Sequence, residues 1–318
     1  MNIAKFIKDN LSYLILGMMI LGLANGYVND VSGLKVLVTP TLFLMVYPMM
    51  INLKVTDLFE GISNPKPLLI SLGMNFIISP IIAFGLSKLF FANQPMLTVG
   101  LILISLIPTS GMTASWTGLA NGNMKSALLI ISSNLLLSIV MIPLYMKLFI
   151  GEAVTVDTMT IIYSLLKVVI IPLVLGDITR RILMWKYKES GFKKIKPHLG
   201  AISSVGVLII VFVAMSLKSK TIINESSLVL YSLVPLVIYY GVLLIISHSI
   251  GSRVLDRGNS IALVYGSTMR NLTISLGLSL SAFGGGLSVF LIAIGYIIQV
   301  PLAAFYMRML MRGEVAIN

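Results

Sequence analysis

The chain has 318 residues, 57% of them hydrophobic and 11% charged, a formal net charge of +12 and no cysteine. A soluble domain of that length carries roughly twice the charged fraction. With a mean hydropathy of +1.00, composition excludes a water-soluble globular fold and points to an all-α polytopic membrane protein; the missing cysteines remove disulfides, thiolate metal sites and cysteine nucleophiles.

Ten spans are expected, near 11–27, 33–52, 67–91, 96–120, 124–149, 157–179, 199–217, 226–249, 259–282 and 286–310. Each is close to the length that crosses ~30 Å of hydrocarbon. The first resembles a signal peptide, with Lys5 and Lys8 ahead of an apolar core. A second span follows at once, so it reads as a retained first helix. Prolines, glycines and charges punctuate the runs, as in "EGISNPKP", "FANQP" and "GEAVTVD". No soluble domain fits between them.

Lys and Arg orient the chain. If both termini and every second loop share one side, that side carries sixteen of these residues; the other carries Lys35, Lys88, Lys147, Lys218 and Lys220. The positive-inside rule then places both termini in the cytoplasm of a multi-pass protein of the cell (plasma or inner) membrane. The basic run "RRILMWKYKESGFKKIKPH" reads as a cytoplasmic loop lying against anionic lipid, not as a nucleic-acid site.

The two halves echo each other. Pro143 in the fifth span pairs with Pro301 in the tenth, Pro80 in the third with Pro235 in the eighth, and Lys54 after the second with Lys218 after the seventh. Five spans per half is an odd number, so residues 1–155 and 156–318 form two repeats, the second inverted. In the fourth span, "PTSGMTASWTGLANGN" (108–123) interrupts an apolar run with a proline, glycines and hydroxyl residues. Its counterpart in the ninth span is "YGSTMRNLTISLGLS" (265–279). Pro108 removes one N–H and clashes with the preceding turn, and such backbone survives in hydrocarbon only where protein or a watery cavity satisfies the freed groups. Two helices broken at matching repeat positions point to a secondary transporter with its site near the midplane. Their half-helix N-termini would offer free N–H groups and positive dipole ends. The alternative is two kinked structural helices.

These residues also carry a resemblance. "PTSGMTASWTGLANGN", "LMVYPMMINLK" (44–54), "NFIISPIIAF" (75–84) and "MRNLTISLG" (269–277) together resemble the bile acid:sodium symporter superfamily, and within it the arsenical-resistance (arsenite efflux) permeases. The resemblance implies ten helices in two inverted five-helix repeats, a panel and a core domain, and a fourth and ninth helix crossing at their unwound centres beside the substrate. Pro108, Met112, Trp116, Leu119, Tyr47, Pro48, Asn75, Pro80 and Asn271 match the arsenite branch. Where that branch has a cysteine after the proline, this chain has Thr109; where it has a glutamate after the ninth-span asparagine, the chain has Thr273. Where the sodium-coupled branch holds sodium with an acidic residue and a glutamine, the chain has Gly266 and Arg270.

Arg270 lies near the middle of the ninth span and Lys167 ten residues into the sixth, ~15 Å deep at 1.5 Å per residue. A charge at that depth costs ~3 kcal/mol or more unless paired. Of the acidic residues only Asp177 falls well within a span, four residues from Arg181, so both cations are expected to face a core without a carboxylate. Two readings stand for Arg270: it binds carbonyls freed by the helix break, or its planar fork takes the place of sodium and attracts an anion. Lys167 is either a site residue or one that snorkels or loses its charge. Asn134 and Gln299 serve equally as interhelical glue or as site residues, and the Met-rich "YPMM" and "LGMM" read as packing.

The leading expectation is a transporter of a small anion, with Thr109, Ser110, Thr113, Trp116, Asn75, Arg270, Asn271, Thr273 and Lys167 near the substrate. Arsenite efflux is the runner-up, sodium-coupled uptake of an organic anion a third reading, and a channel or sensor a fourth. Only two histidines occur, His198 and His248, with no HExxH or activated-serine pattern, so an enzyme is not expected. Nor is any cofactor, metal or nucleic acid. The expected partners are the solute, the lipid bilayer and a coupling ion, proton or sodium.

Overall fold

The computed structural model describes residues 6–7, 10–52, 65–150, 158–224 and 226–315. Every regular element among them is helical. Seven stretches are long and apolar enough to cross a membrane: Leu11–Val28, Ser32–Ile51, Lys66–Phe90, Met124–Ile150, Thr158–Leu217, Tyr231–Val254 and Leu287–Met311. Large apolar side chains such as Ile20, Leu21, Ile81, Val140, Leu148 and Ile245 are exposed on these helices. In water so much exposed apolar surface is a liability; against hydrocarbon it is the expected face. Lys54 and its place in the repeat lie outside the described residues.

The chain divides into two compact units, the first made of Met1–Lys54, Thr155–Tyr231 and Thr273–Ile297. It contains α1 (Leu11–Val28), a 3-10 turn (Ser32–Leu37), α2 (Val38–Ile51), α8 (Thr158–Leu165) and α9 (Ile171–Leu217). The sixth and seventh expected spans are thus joined in one helical run. A straight 47-residue α9 would be ~70 Å long, but it is not straight. Lys188 has φ 54, and residues thirty apart on α9 meet one short segment of α2. A Cβ at Gly176 would lie 2.8 Å from the Met50 backbone, and one at Gly206 would lie 2.7 Å from that of Met45. Straight helix would separate 176 from 206 by ~45 Å, whereas Met45 and Met50 are ~7.5 Å apart. The chain therefore doubles back at Lys188 and lays both arms on α2. Ser203 Oγ donates to Met45 O at 2.5 Å and Tyr47 OH meets Thr179 Oγ1 at 2.7 Å, one bond from each arm. The basic run expected as a loop is helical on either side of that break. Its Lys, Arg, Glu, Met and Leu residues are good helix formers, and charge alone does not unwind them. A π-helical turn, Leu166–Ile170, joins α8 to α9 two residues ahead of Pro172.

The second unit is Val55–Val154, Ser232–Leu272 and Ile298–Asn318. It begins with α3 (Lys66–Gly73), a π-helical turn (Met74–Ile78) and α4 (Ser79–Phe90). This turn also stands two residues ahead of a proline. Pro80 has no N–H for the carbonyl of Phe76, and Tyr145 OH donates to that oxygen instead. Next come α5 (Pro95–Leu106), α6 (Gly111–Leu119) and α7 (Met124–Ile150). The fourth expected span is thus two short helices. The rest of the unit comes from most of α11 (Ser226–Val254, after the short α10, Ser219–Asn224), α12 (Arg257–Thr268) and the end of α14 (Leu287–Val315). Past α12 the chain breaks and continues as α13 (Leu272–Phe283), so the ninth expected span is also two short helices.

Asp256 caps α12 by accepting the N–H of Asn259 at 3.0 Å. That backbone bond holds its carboxyl below the usual carboxylate range. Because the folded value lies below the unfolded ~3.9, the stabilisation is complete above that pH and is lost as pH falls through the folded value. Asp256→Ala is expected to cost about 1 kcal/mol at neutral pH, and Asp256→Asn, which keeps a capping oxygen, only a few tenths. Thermal melts of the three proteins at pH 7 and pH 3 check this: at pH 3 the wild type should move towards the Ala variant.

Candidate functional site

The two breaks face each other within the second unit. In the first, residues 107–110, Ile107 leaves its carbonyl unused by its own helix, and Asn271 N donates to it at 3.0 Å from the second break. Thr109 sits at φ 60, a left-handed conformation that costs a β-branched residue about 1–3 kcal/mol. Its Oγ1 donates to Pro108 O at 2.7 Å. Ser110 then starts α6, its Oγ accepting from Met112 N at 3.2 Å, while Thr113 Oγ1 accepts from Ser110 N at 3.4 Å and donates to Tyr265 O at 3.3 Å. The expected free N–H groups of this half-helix are therefore partly consumed by its own capping box.

In the second break, residues 269–271, the backbone of Arg270 is clasped by one side chain. Gln299 Oε1 accepts from Arg270 N at 3.1 Å and Gln299 Nε2 donates to Arg270 O at 3.3 Å. Tyr240 OH adds a bond to the same Oε1 at 3.2 Å. Gln299 thus acts as glue. Asn134 does too, donating to Ser71 Oγ and Ile130 O, and Asn75 donates to Asn134 Oδ1 at 3.0 Å and to Gly266 O at 3.1 Å.

Arg270 is the only charged side chain among the buried described residues, at 0% exposure. Its Nη1 donates to Ser105 O at 3.3 Å, two residues before the first break, while Nε and Nη2 have no hydrogen-bond partner. The Tyr239 ring lies against the guanidinium, 5.8 Å from Cζ to centroid. Among the unit's residues whose side chains are described, the one carboxylate is Asp256, occupied at its cap. Both readings of Arg270 thus find support: one nitrogen clamps a carbonyl, and two are unspent.

Seven of the nine expected site residues, Asn75, Thr109, Ser110, Thr113, Trp116, Arg270 and Asn271, belong to this unit. Trp116 stacks on Tyr265, 6.2 Å between centroids, and Tyr265 meets Tyr306 edge-on. Thr273 and Lys167 belong to the first unit. Thr273 Oγ1 pairs there with Tyr296 OH at 2.8 Å. Lys167 is exposed on its π-helical turn rather than buried in the core. Tyr239 and Ser105 were not legible as neighbours of Arg270. The paired tyrosines of "IYYG" in mid-span were the available signal.

Residues 39–225 match the profile of the Sodium Bile acid symporter family. The chain is 25% identical over 305 residues to the arsenical-resistance protein Acr3 of Corynebacterium glutamicum, covering 91% of this chain and 82% of that one. It is 28% identical over 200 residues to the uncharacterized sodium-dependent transporter YocS of Bacillus subtilis, 63% and 60% of the two chains. It is 24% identical over 214 residues to the probable sodium/metabolite cotransporter BASS3 of Arabidopsis thaliana, 65% and 46%. With more than half of its length matched by the profile, the chain belongs to the sodium bile acid symporter family.

Proposed function

We propose that this multi-pass membrane protein, a secondary transporter, carries a small anionic solute by alternating access and binds it where the two helix breaks meet. The observation that carries the reading is Arg270, fully buried, with two unpartnered nitrogens and, among the buried described residues, no carboxylate to balance it. A lone buried charge is costly enough that it marks a functional site. Asn75, Thr109, Ser110, Thr113, Trp116 and Asn271 are the solute's proposed neighbours.

The proposed architecture has ten crossing segments in two inverted repeats, 1–155 and 156–318, with the units as panel and core. In support, each unit draws on both halves of the sequence, Met1–Lys54 with Thr155–Tyr231 and Val55–Val154 with Ser232–Leu272. Both termini are placed in the cytoplasm of the inner or plasma membrane by the charge asymmetry. A fluorescent reporter that matures only in the cytoplasm, fused after Asn318, should give signal; a dark fusion with an externally cleavable tail would reject the topology.

Relatives named for arsenical resistance suggest arsenite as cargo, and those named sodium-dependent suggest sodium coupling. Arsenous acid is neutral at pH 7 and has no use for Arg270, and the chain has no thiol to bind it. For sodium, a Cβ at Gly266 would lie 2.7 Å from Ile130 Cγ2, so a carboxylate has no room there, and Arg270 already supplies a cation. Uptake of organic anions into proteoliposomes is therefore expected to be nearly unchanged when choline replaces sodium. Uptake that rises steeply with sodium and ignores Arg270→Gln would overturn the reading.

A further inference from the structure

The unspent nitrogens of Arg270 are a particular pair. Nη1 is the terminal nitrogen on the Cδ side of the guanidinium, and it is the one tied to Ser105 O. Nε and Nη2, both unpartnered, lie together on the opposite edge. Their N–H bonds run nearly parallel in one plane, the arrangement that receives both oxygens of a single carboxylate. Arg270 Cζ stands 5.8 Å from the centroid of the Tyr239 ring, so an aromatic face accompanies the guanidinium while the Nε–Nη2 edge keeps its donors unspent.

Three hydroxyls around Arg270 have already spent their protons. Ser79 Oγ donates to Ser105 O at 3.1 Å, which makes Tyr239 OH the donor in its 2.8 Å bond to Ser79 Oγ. Tyr240 OH donates to Gln299 Oε1. A tetrahedral oxyanion docked on the edge would carry two further oxygens that these three hydroxyls cannot meet, and an unmet buried acceptor is costly. The charge count gives the same answer. Arg270 is the only charge among the buried described residues, so one negative charge neutralises the site, whereas a dianion leaves a buried net charge without a partner.

We propose, resting on the anion reading above, that Arg270 is a charge-state filter: its Nε–Nη2 edge binds a planar, singly charged two-oxygen anion, a monocarboxylate, and rejects dicarboxylates and sulfate. The loaded site is electrically neutral and needs no metal cation to become so.

The test uses the purified full chain in nanodiscs, as wild type, Arg270→Gln and Arg270→Lys. Thermal stabilisation is titrated with monocarboxylates from formate to benzoate, with succinate and with sulfate. The expected result is stabilisation of the wild type by one or more monocarboxylates and by neither dianion at neutral pH, with succinate gaining effect as acid converts it to its monoanion. Arg270→Gln should weaken the monocarboxylate response at least tenfold. Arg270→Lys, which keeps the charge but lacks the edge, should respond weakly and without preference for planar anions. Tighter binding of sulfate or neutral-pH succinate, lost in Arg270→Gln, overturns the filter and leaves an anion site standing. No response to any anion, or equal responses in wild type and Arg270→Gln, overturns both. Should Arg270→Gln fail to fold, the selectivity of Arg270→Lys decides: unchanged preference for monocarboxylates overturns the edge.

Discussion

Arg270→Gln is expected to weaken binding of the anionic substrate at least tenfold while the protein still folds. Removing one partner of a buried charge pair costs ~2–5 kcal/mol, and glutamine retains a donor for Ser105 O, the single side-chain bond Arg270 makes. The backbone of residue 270 stays clasped by Gln299 whatever its side chain. Arg270→Lys restores charge but not the two-point geometry and should recover part of the loss. If Arg270 serves only as a clamp on Ser105 O, melting temperature falls and affinity per folded molecule stays the same. Affinity and melting temperature measured on the same purified variants separate the two, and unaltered affinity beside collapsed stability would reduce Arg270 to a structural residue.

The helix breaks were legible for different reasons. Pro108 and the glycines after it announce the first break locally, because a proline's missing N–H acts within one turn. The second has no proline between Tyr265 and Thr273 and was visible only through its place in the repeat. The groups that satisfy these irregularities were not legible. Gln299 lies 29 residues from the backbone it clasps, and Tyr145 lies 69 residues from the Phe76 carbonyl it rescues. Nothing in the sequence between them marks such pairs. Charge also misled in one place. The basic run after Asp177 suggested a loop, yet its residues favour helix, and the turn falls at Lys188, at φ 54, rather than at Gly191 or Pro197. The role of Lys167 was not legible either, since depth along a helix says how far a charge lies from the ends but not which way it faces.

The clasp itself yields the largest expected effect on stability. Gln299→Leu has nearly the same volume and fits an apolar helix, so packing changes little. What it removes is a donor and an acceptor. Arg270 N loses its 3.1 Å bond to Oε1, and Arg270 O loses the 3.3 Å bond from Nε2, keeping only the N–H of Leu272 at 3.0 Å. Tyr240 OH loses the same Oε1. All three groups are buried, where water cannot replace a lost partner, and a group left wholly unsatisfied costs about 1–3 kcal/mol. The bare Arg270 N–H alone accounts for about 1–3 kcal/mol and the weakened carbonyl and hydroxyl add to it, a large part of the stability of an ordinary marginally stable protein. Tyr240→Phe, which removes its own hydroxyl together with that bond, should cost no more than about 1.5 kcal/mol. The contrast is read from melting temperatures of the two variants beside the wild type in the same detergent. A Gln299→Leu variant that melts with the wild type would mean that the second break does not depend on this side chain, and that the backbone at Arg270 has another source of hydrogen bonds.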